Sequence, residues 1–122
     1  MSYTYIYIYM KHDYNNQLNI RLRISEKNKS SWIEIENISY LICEGYLTRV
    51  HLICSKTFTC SMLLKQFEEI LAEFGFIRAN RNTLVNYRHV NCLIFKKGKR
   101  SIFVNNFEIK VSRRRAFLFK RK

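Results

Sequence analysis

A single, mostly β domain with one amphipathic helix follows from three observations. Apolar residues recur at every second position over several short runs, one stretch alone keeps a helical period for several turns, and the 122 residues include no proline and no glycine-rich linker. A chain of this length makes about one domain, and 48% hydrophobic residues with nine Phe and eight Tyr supply its core.

The first run is unusual. Tyr3, Tyr5, Tyr7 and Tyr9 alternate with Thr4, Ile6, Ile8 and Met10, a strand pattern that is apolar on both faces. The sequence leaves three fates open: an added edge strand, an arm that pairs with another protomer, or a disordered tail. Lys11 to Gln17 then reads as a polar linker. Leu18, Ile20, Leu22 and Ile24 next face one side while Asn19, Arg21 and Arg23 face the other, a half-buried strand. A polar turn over Ser25 to Ser31 joins it to a second short strand, Trp32 to Glu36. Ile38 to Glu44 is apolar enough for a central strand, interrupted by Gly45 and Tyr46. Leu47 to Cys54 and Thr57 to Cys60 make a hairpin that turns near Ser55-Lys56.

The spacing predicts one helix over Ser61 to Phe74. Ser61 is placed to cap its first turn, Leu63, Phe67, Ile70, Leu71 and Phe74 share a face, and Gly75 suits a left-handed exit. Phe76 to Val90 follows, apolar at both ends with two arginines and three amide side chains at its centre. Leu84 and Val85 read as core, and Asn86 as a turn former that bonds to backbone. Strands around Val90 to Phe95 and Ser101 to Val104 flank a hairpin loop, Lys96-Lys97-Gly98-Lys99-Arg100. Asn105-Asn106 turns the chain into Phe107 to Val111, and Ser112 is placed to cap a last short helix through Phe119.

Charge divides the chain sharply. Up to Gly75, eight bases meet eight acids, whereas from Phe76 onward only Glu108 opposes the bases, so the whole net charge of +13 sits in that segment. Such a block favours a polyanionic partner. The acids are scattered over the neutral part, and His12, His51 and His89 have no nucleophile or orienting carboxylate nearby in sequence, so no enzymatic activity is expected. With three glycines in all, and neither a P-loop nor GxGxxG, nucleotide cradling is not expected either. Cys43, Cys54, Cys60 and Cys92 lack a CxxC pair and read as reduced small hydrophobic residues. A zinc site from Cys54, Cys60, His89 and Cys92 matches no ordinary spacing, and no cofactor is expected. No segment approaches the roughly 20 apolar residues of a membrane helix, and no signal peptide is visible, so a cytoplasmic protein with no membrane partner is expected.

Helix-turn-helix needs two adjacent helices, and the RNA-recognition glycine-aromatic signature is missing, which leaves a reader built from loops. Arginine suits bidentate contact with guanine and asparagine with adenine, so Asn80-Arg81-Asn82 is chemically fit to read base edges. Here the order Phe76-Ile-Arg-Ala-Asn-Arg-Asn-Thr-Leu-Val-Asn86, with its preceding helix and the later Val111-Ser-Arg-Arg-Arg115, resembles the LytTR family of bacterial DNA-binding domains. The family pattern runs approximately F-I-R-x-H-R-S-Y/F-L-V-N and ends near V/I-S-R-R. The resemblance covers about residues 18–122, which sets residues 1–17 apart as an aromatic arm or extra strand plus linker. It implies an elongated, mainly β fold of small antiparallel sheets with one amphipathic helix and a short C-terminal helix. It also implies loops inserted into the grooves of double-stranded DNA, an output domain of response regulators, and binding at paired direct repeats in promoters, where two copies form a homodimer.

Carried over residue by residue, the resemblance makes Arg81 and Arg114 base readers and Arg78 a phosphate contact. Ser112 holds phosphate or caps the turn, and the loop Tyr46 to Thr48 supplies the third contact, with Tyr46 at a base. Asn80, Asn82, Thr48, Lys97, Lys99, Arg100, Arg113 and Arg115 are phosphate contacts or supports. Asn80 stands where the family has His, Asn82 where it has Ser and Thr83 where it has an aromatic residue. The first two keep hydrogen-bonding ability and bear on sequence preference, whereas Thr83 removes packing volume. The length leaves no room for the receiver domain that normally controls the family, and Tyr3 to Met10 stands in its place. Two rivals belong to other classes: a protein-interaction module that uses the aromatic N-terminal strand, and a binder of RNA or anionic surfaces driven by charge alone.

Overall fold

The computed structural model of the chain describes residues 4–12, 14–15, 18–26 and 29–119. Tyr3, part of the expected linker, Lys27 and the terminal Lys120, Arg121 and Lys122 lie outside the described residues. Three small antiparallel sheets carry the fold. The first is β1 (Thr4–His12), β2 (Leu18–Glu26) and β3 (Lys29–Glu34), in that order. The central sheet uses β4 (Ile38–Glu44), β5 (Leu47–Leu52), β6 (Thr57–Cys60), β7 (Phe76–Asn80) and β8 (Thr83–Asn86), ordered β6-β5-β4-β8-β7. The third is β9 (Val90–Lys96), β10 (Lys99–Val104) and β11 (Phe107–Lys110), ordered β11-β10-β9.

Period two explains why the central sheet is covered on both faces. Leu41, Val50, Phe76 and Leu84 enter one core with Leu22, Ile24 and Ile33 of the first sheet and Leu64, Phe67 and Leu71 of helix α1 (Leu64–Leu71). Their neighbours Tyr40, Ala79 and Val85 point the other way, into a second core with Ile102, Val104 and Ile109 of the third sheet and Ala116 and Phe119 of the C-terminal turn. Alternation along one strand therefore serves two cores.

The N-terminal run is an edge strand. β1 pairs with β2 from Thr4↔Glu26 to His12↔Leu18, so the strand continues through Lys11 and His12, residues expected in the linker. Tyr7 and Tyr9 lie on the outer face, 49% and 45% exposed, and the Tyr9 ring meets Trp32 at 4.7 Å between centroids. Trp32 starts no strand of its own: β3 begins at Lys29, and Ile35–Asn37 is a 3-10 turn rather than the strand end expected there.

The helix is shorter than its periodicity suggested. It begins at Leu64, and its N-cap is Leu63 instead of Ser61; the Gln66 side chain accepts from Leu63 N at 3.1 Å, satisfying one early donor. Leu63, in an extended conformation, is 54% exposed, and Leu64 takes its place in the core. A 3-10 turn, Ala72–Phe74, ends at Gly75 with φ 83°, the left-handed exit that glycine adopts without a Cβ clash. The C-terminal helix is a 3-10 run, Arg113–Phe119.

Asn86 is 1% exposed and bonds backbone with both ends of its amide. Its Nδ2 donates to Ile38 O at 3.0 Å and its Oδ1 accepts from Arg88 N at 3.2 Å, which joins the end of β8 to the start of β4. Asn86→Ala strands both backbone groups and should lower unfolding free energy by about 1–3 kcal/mol in urea melts. At the same end His51 stacks on Tyr40 at 4.3 Å. Burial, and then the Arg49 charge, hold its pKa below the ordinary 6.5, with Glu44 opposing. Because the folded protein disfavours the charged ring, stability falls as pH drops from above 6.5 through the lowered value. Melting midpoints measured from pH 7.5 down to 5 should therefore drop less for His51→Phe than for the native chain.

Candidate nucleic-acid interface

Strand directions gather the proposed contact loops at one end of the molecule. β4 runs toward this end, turns at Gly45-Tyr46 and returns as β5; β7 runs the same way, turns at Arg81-Asn82 and returns as β8. Three hydrogen bonds hold the neighbouring segments here. Cys43 N donates to Asn82 O at 2.8 Å, Asn80 Nδ2 donates to Lys110 O at 2.7 Å, and Ser112 N donates to Ala79 O at 3.0 Å. Because Ser101 pairs with Lys110 and Lys99 with Lys96, the Lys97-Gly98 turn projects from the same end.

Local chemistry builds each turn. Gly45 has φ 63°, and Lys97 and Gly98 have φ 52° and 75°, the positive angles that two-residue hairpin turns require. At the β7–β8 tip, Asn80 Oδ1 accepts from Asn82 N at 2.8 Å, a side-chain mimic of a backbone turn that leaves Arg81 at the apex. The ladder shifts between Arg78↔Leu84 and Asn80↔Thr83, so Ala79 is bulged, and its carbonyl receives Ser112 N.

The expected residues divide into exposed and engaged groups. Arg81, Asn82, Lys97, Lys99, Arg113 and Arg114 are exposed, and Tyr46 is 90% exposed. Arg115 and Arg100 are half-buried, the latter with its guanidinium 4.9 Å from the Phe95 ring centroid. Thr48 is fully buried, and its hydroxyl donates to Met62 O at 2.5 Å, so it supports the Tyr46 loop from beneath. Ser112 makes its turn through its carbonyl, which accepts from Arg115 N at 3.0 Å; its hydroxyl is buried without a hydrogen bond.

Arg78 lies under the sheet, its Nε 3.8 Å from Glu68 Oε1 on α1, with Nε and Nη1 buried and lacking acceptors; 15% of the side chain is exposed. Glu44, the acid beside the Tyr46 turn, is held by Arg49 at 3.1 Å. Sequence reasoning missed Lys110 and Glu68 as members of this region. Lys110 carried a signal, a base two residues before the Ser-Arg-Arg-Arg run, whereas the contact of Glu68 with Arg78 had none. A hollow of about 300 Å³ is lined by Gly98, Lys99, Arg100, Lys110, Val111 and Arg113, four cations without an acid. Such a hollow attracts anionic oxygen.

Arg78→Met keeps most of the side-chain length while removing two buried donors that make no hydrogen bond, and Glu68 remains partly solvated. Its unfolding free energy in urea should match or exceed that of the native protein; a loss above about 2 kcal/mol would make the Glu68 pair a structural necessity.

The sequence profile of the LytTr DNA-binding domain matches residues 28–122. Among solved structures, a LytTr DNA-binding domain from Bacillus cereus is similar at a TM-score of 0.65 and 21% identity, covering 80% of this chain and 91% of that one. No curated protein matches. No helix among the described residues is long and apolar enough to cross a membrane.

Proposed function

The chain belongs to the LytTR family of DNA-binding domains, and from that premise we propose that it is a sequence-specific regulator of transcription that reads double-stranded DNA with loops. One observation carries the reading: the turns bearing Tyr46, Arg81 and Lys97 and the segment bearing Arg113 and Arg114 share one end of the fold, around a hollow lined by four cations. In this reading Arg81, Arg114 and Tyr46 meet base edges, while Lys97, Lys99, Arg100, Arg113 and Arg115 meet phosphates. Arg78 reaches a phosphate by turning away from Glu68, and Asn82 supports the Arg81 turn. Two copies occupy paired direct repeats in promoters.

A protein making about 6 to 10 phosphate contacts loses roughly three to five decades of affinity between about 50 and 200 mM salt, and that slope is expected here. A flat response would sink the reading. Arg81→Ala and Arg114→Ala should each cost about 1–3 kcal/mol on the preferred site and relax one base position, whereas Lys97→Ala weakens all duplexes alike. Selection from a random duplex library should enrich a pair of direct repeats; enrichment of no site counts against sequence-specific binding.

A second reading, a protein-interaction surface on the first sheet, is favoured by Tyr7, Tyr9 and Trp32, which share its outer face at 45–51% exposure. Tyrosine and tryptophan carry much of the energy of many interfaces. Tyr9→Ser with Trp32→Ser leaves the loop end untouched, so unchanged selection from the library with loss of a protein complex would assign that face its own role.

A further inference from the structure

We infer that Asn80 is the positioning residue that holds the Arg81 turn and the Arg114 segment in one register; this rests on the loop-reading function proposed above. Its two amide atoms act in opposite directions. Oδ1 accepts from Asn82 N at 2.8 Å and closes the turn that carries Arg81, while Nδ2 donates to Lys110 O at 2.7 Å, four residues before Arg114. The amide orientation follows from its partners, since one is an N–H and the other a carbonyl. Asn82 O in turn accepts from Cys43 N at 2.8 Å, on the strand that leads into the Tyr46 turn. A continuous set of bonds thus crosses from the Tyr46 loop through Asn82 and Asn80 to the segment that bears Arg113 and Arg114. Asn80 supplies the side-chain link in it.

The physical need is specific. Hairpin tips and segment ends are the softest parts of a β domain, and base readout requires side chains held within about 0.5 Å of productive geometry. A short amide meets the requirement because it offers an acceptor and a donor on one rigid plane. Aspartate lacks the donor, serine is too short to reach Lys110, and alanine offers neither group. With both ends engaged, Asn80 acts through the residues it holds and does not itself read a base.

Asn80→Ser and Asn80→Ala test this in the full chain, with circular dichroism as the control for folding. Without DNA, amide exchange at Ser112 to Arg115 should quicken in both variants, while the Asn82 amide stays protected in the serine variant and loses protection in the alanine one. On DNA, both variants should lose on the order of tenfold in affinity for the preferred site, with the salt slope unchanged. Library selection should then show relaxed preference at the Arg81 and Arg114 positions together. Relaxation at one base position alone would make Asn80 a direct reader and overturn the inference. So would faster exchange confined to the Arg81 turn, or exchange and preference like those of the native chain. If the native chain enriches no site, the proposed function fails, and the exchange result still decides whether Asn80 couples the two segments.

Discussion

Burial of the central sheet on both faces is the constraint on which the rest of the structure depends. All four residues of β8 are buried, and Leu84 and Val85 enter opposite cores. A slip of one residue would exchange the two sets of side chains, so the register of the β7–β8 hairpin is tightly specified. Asn86 adds a polar lock at the far end by bonding Ile38 O. The Arg81 turn is therefore the free tip of a hairpin whose body cannot shift. The same rigidity reaches β4, whose Cys43 N holds the tip from the side.

That rigid body lets the loop end tolerate its own charge. Lys99, Arg100, Lys110 and Arg113 surround one hollow, an arrangement that self-repulsion disfavours in an isolated peptide. Here each is mounted on a paired strand or on a turn tied to one, and Arg100 gains a partial partner in the Phe95 ring. The surface ion pair Arg21–Glu34 lies elsewhere, and Arg49–Glu44 beside the Tyr46 turn lies outside the hollow; both are on exposed side chains where they contribute little to stability. Positive charge is thus left unneutralised on the loops, and the acids are spent along the neutral front portion.

The first sheet answers a different requirement. β1 extends an inner face whose Leu22, Ile24 and Ile33 complete the first core, yet its own Ile8 is 36% exposed and Met10 55% exposed. The strand overhangs the core that its neighbours cover. Lys11 stands near its end, the kind of charged residue with which natural sheets blunt an exposed edge. The family profile match begins at residue 28, after β2, so β1 and β2 precede the matched part.

Much of the fold was legible because its signals are local. Alternation marked β1 and β2, a continuous apolar run marked β4, Gly75 marked the helix exit, and Asn105-Asn106, with φ 51° and 65°, marked a turn. Asn86 was legible as a former of backbone bonds, and the motif brought Arg81 and Arg114 forward as exposed residues of two segments. The helix start was misread because Ser61 and Leu63 satisfy a capping and a spacing rule that the chain obeys two residues later. The sequence by itself determined the β character, the single helix, the two-faced strands and the concentration of charge after Gly75, since period, turn chemistry and composition act within a few residues. Only the tertiary structure decided that Thr48 lies buried against Met62, 14 residues away, that Arg78 lies against Glu68, and that the Asn80 amide is taken up by Lys110, 30 residues away. A side chain's remaining hydrogen-bonding capacity depends on which distant backbone the packed cores bring beside it, and no local pattern records that.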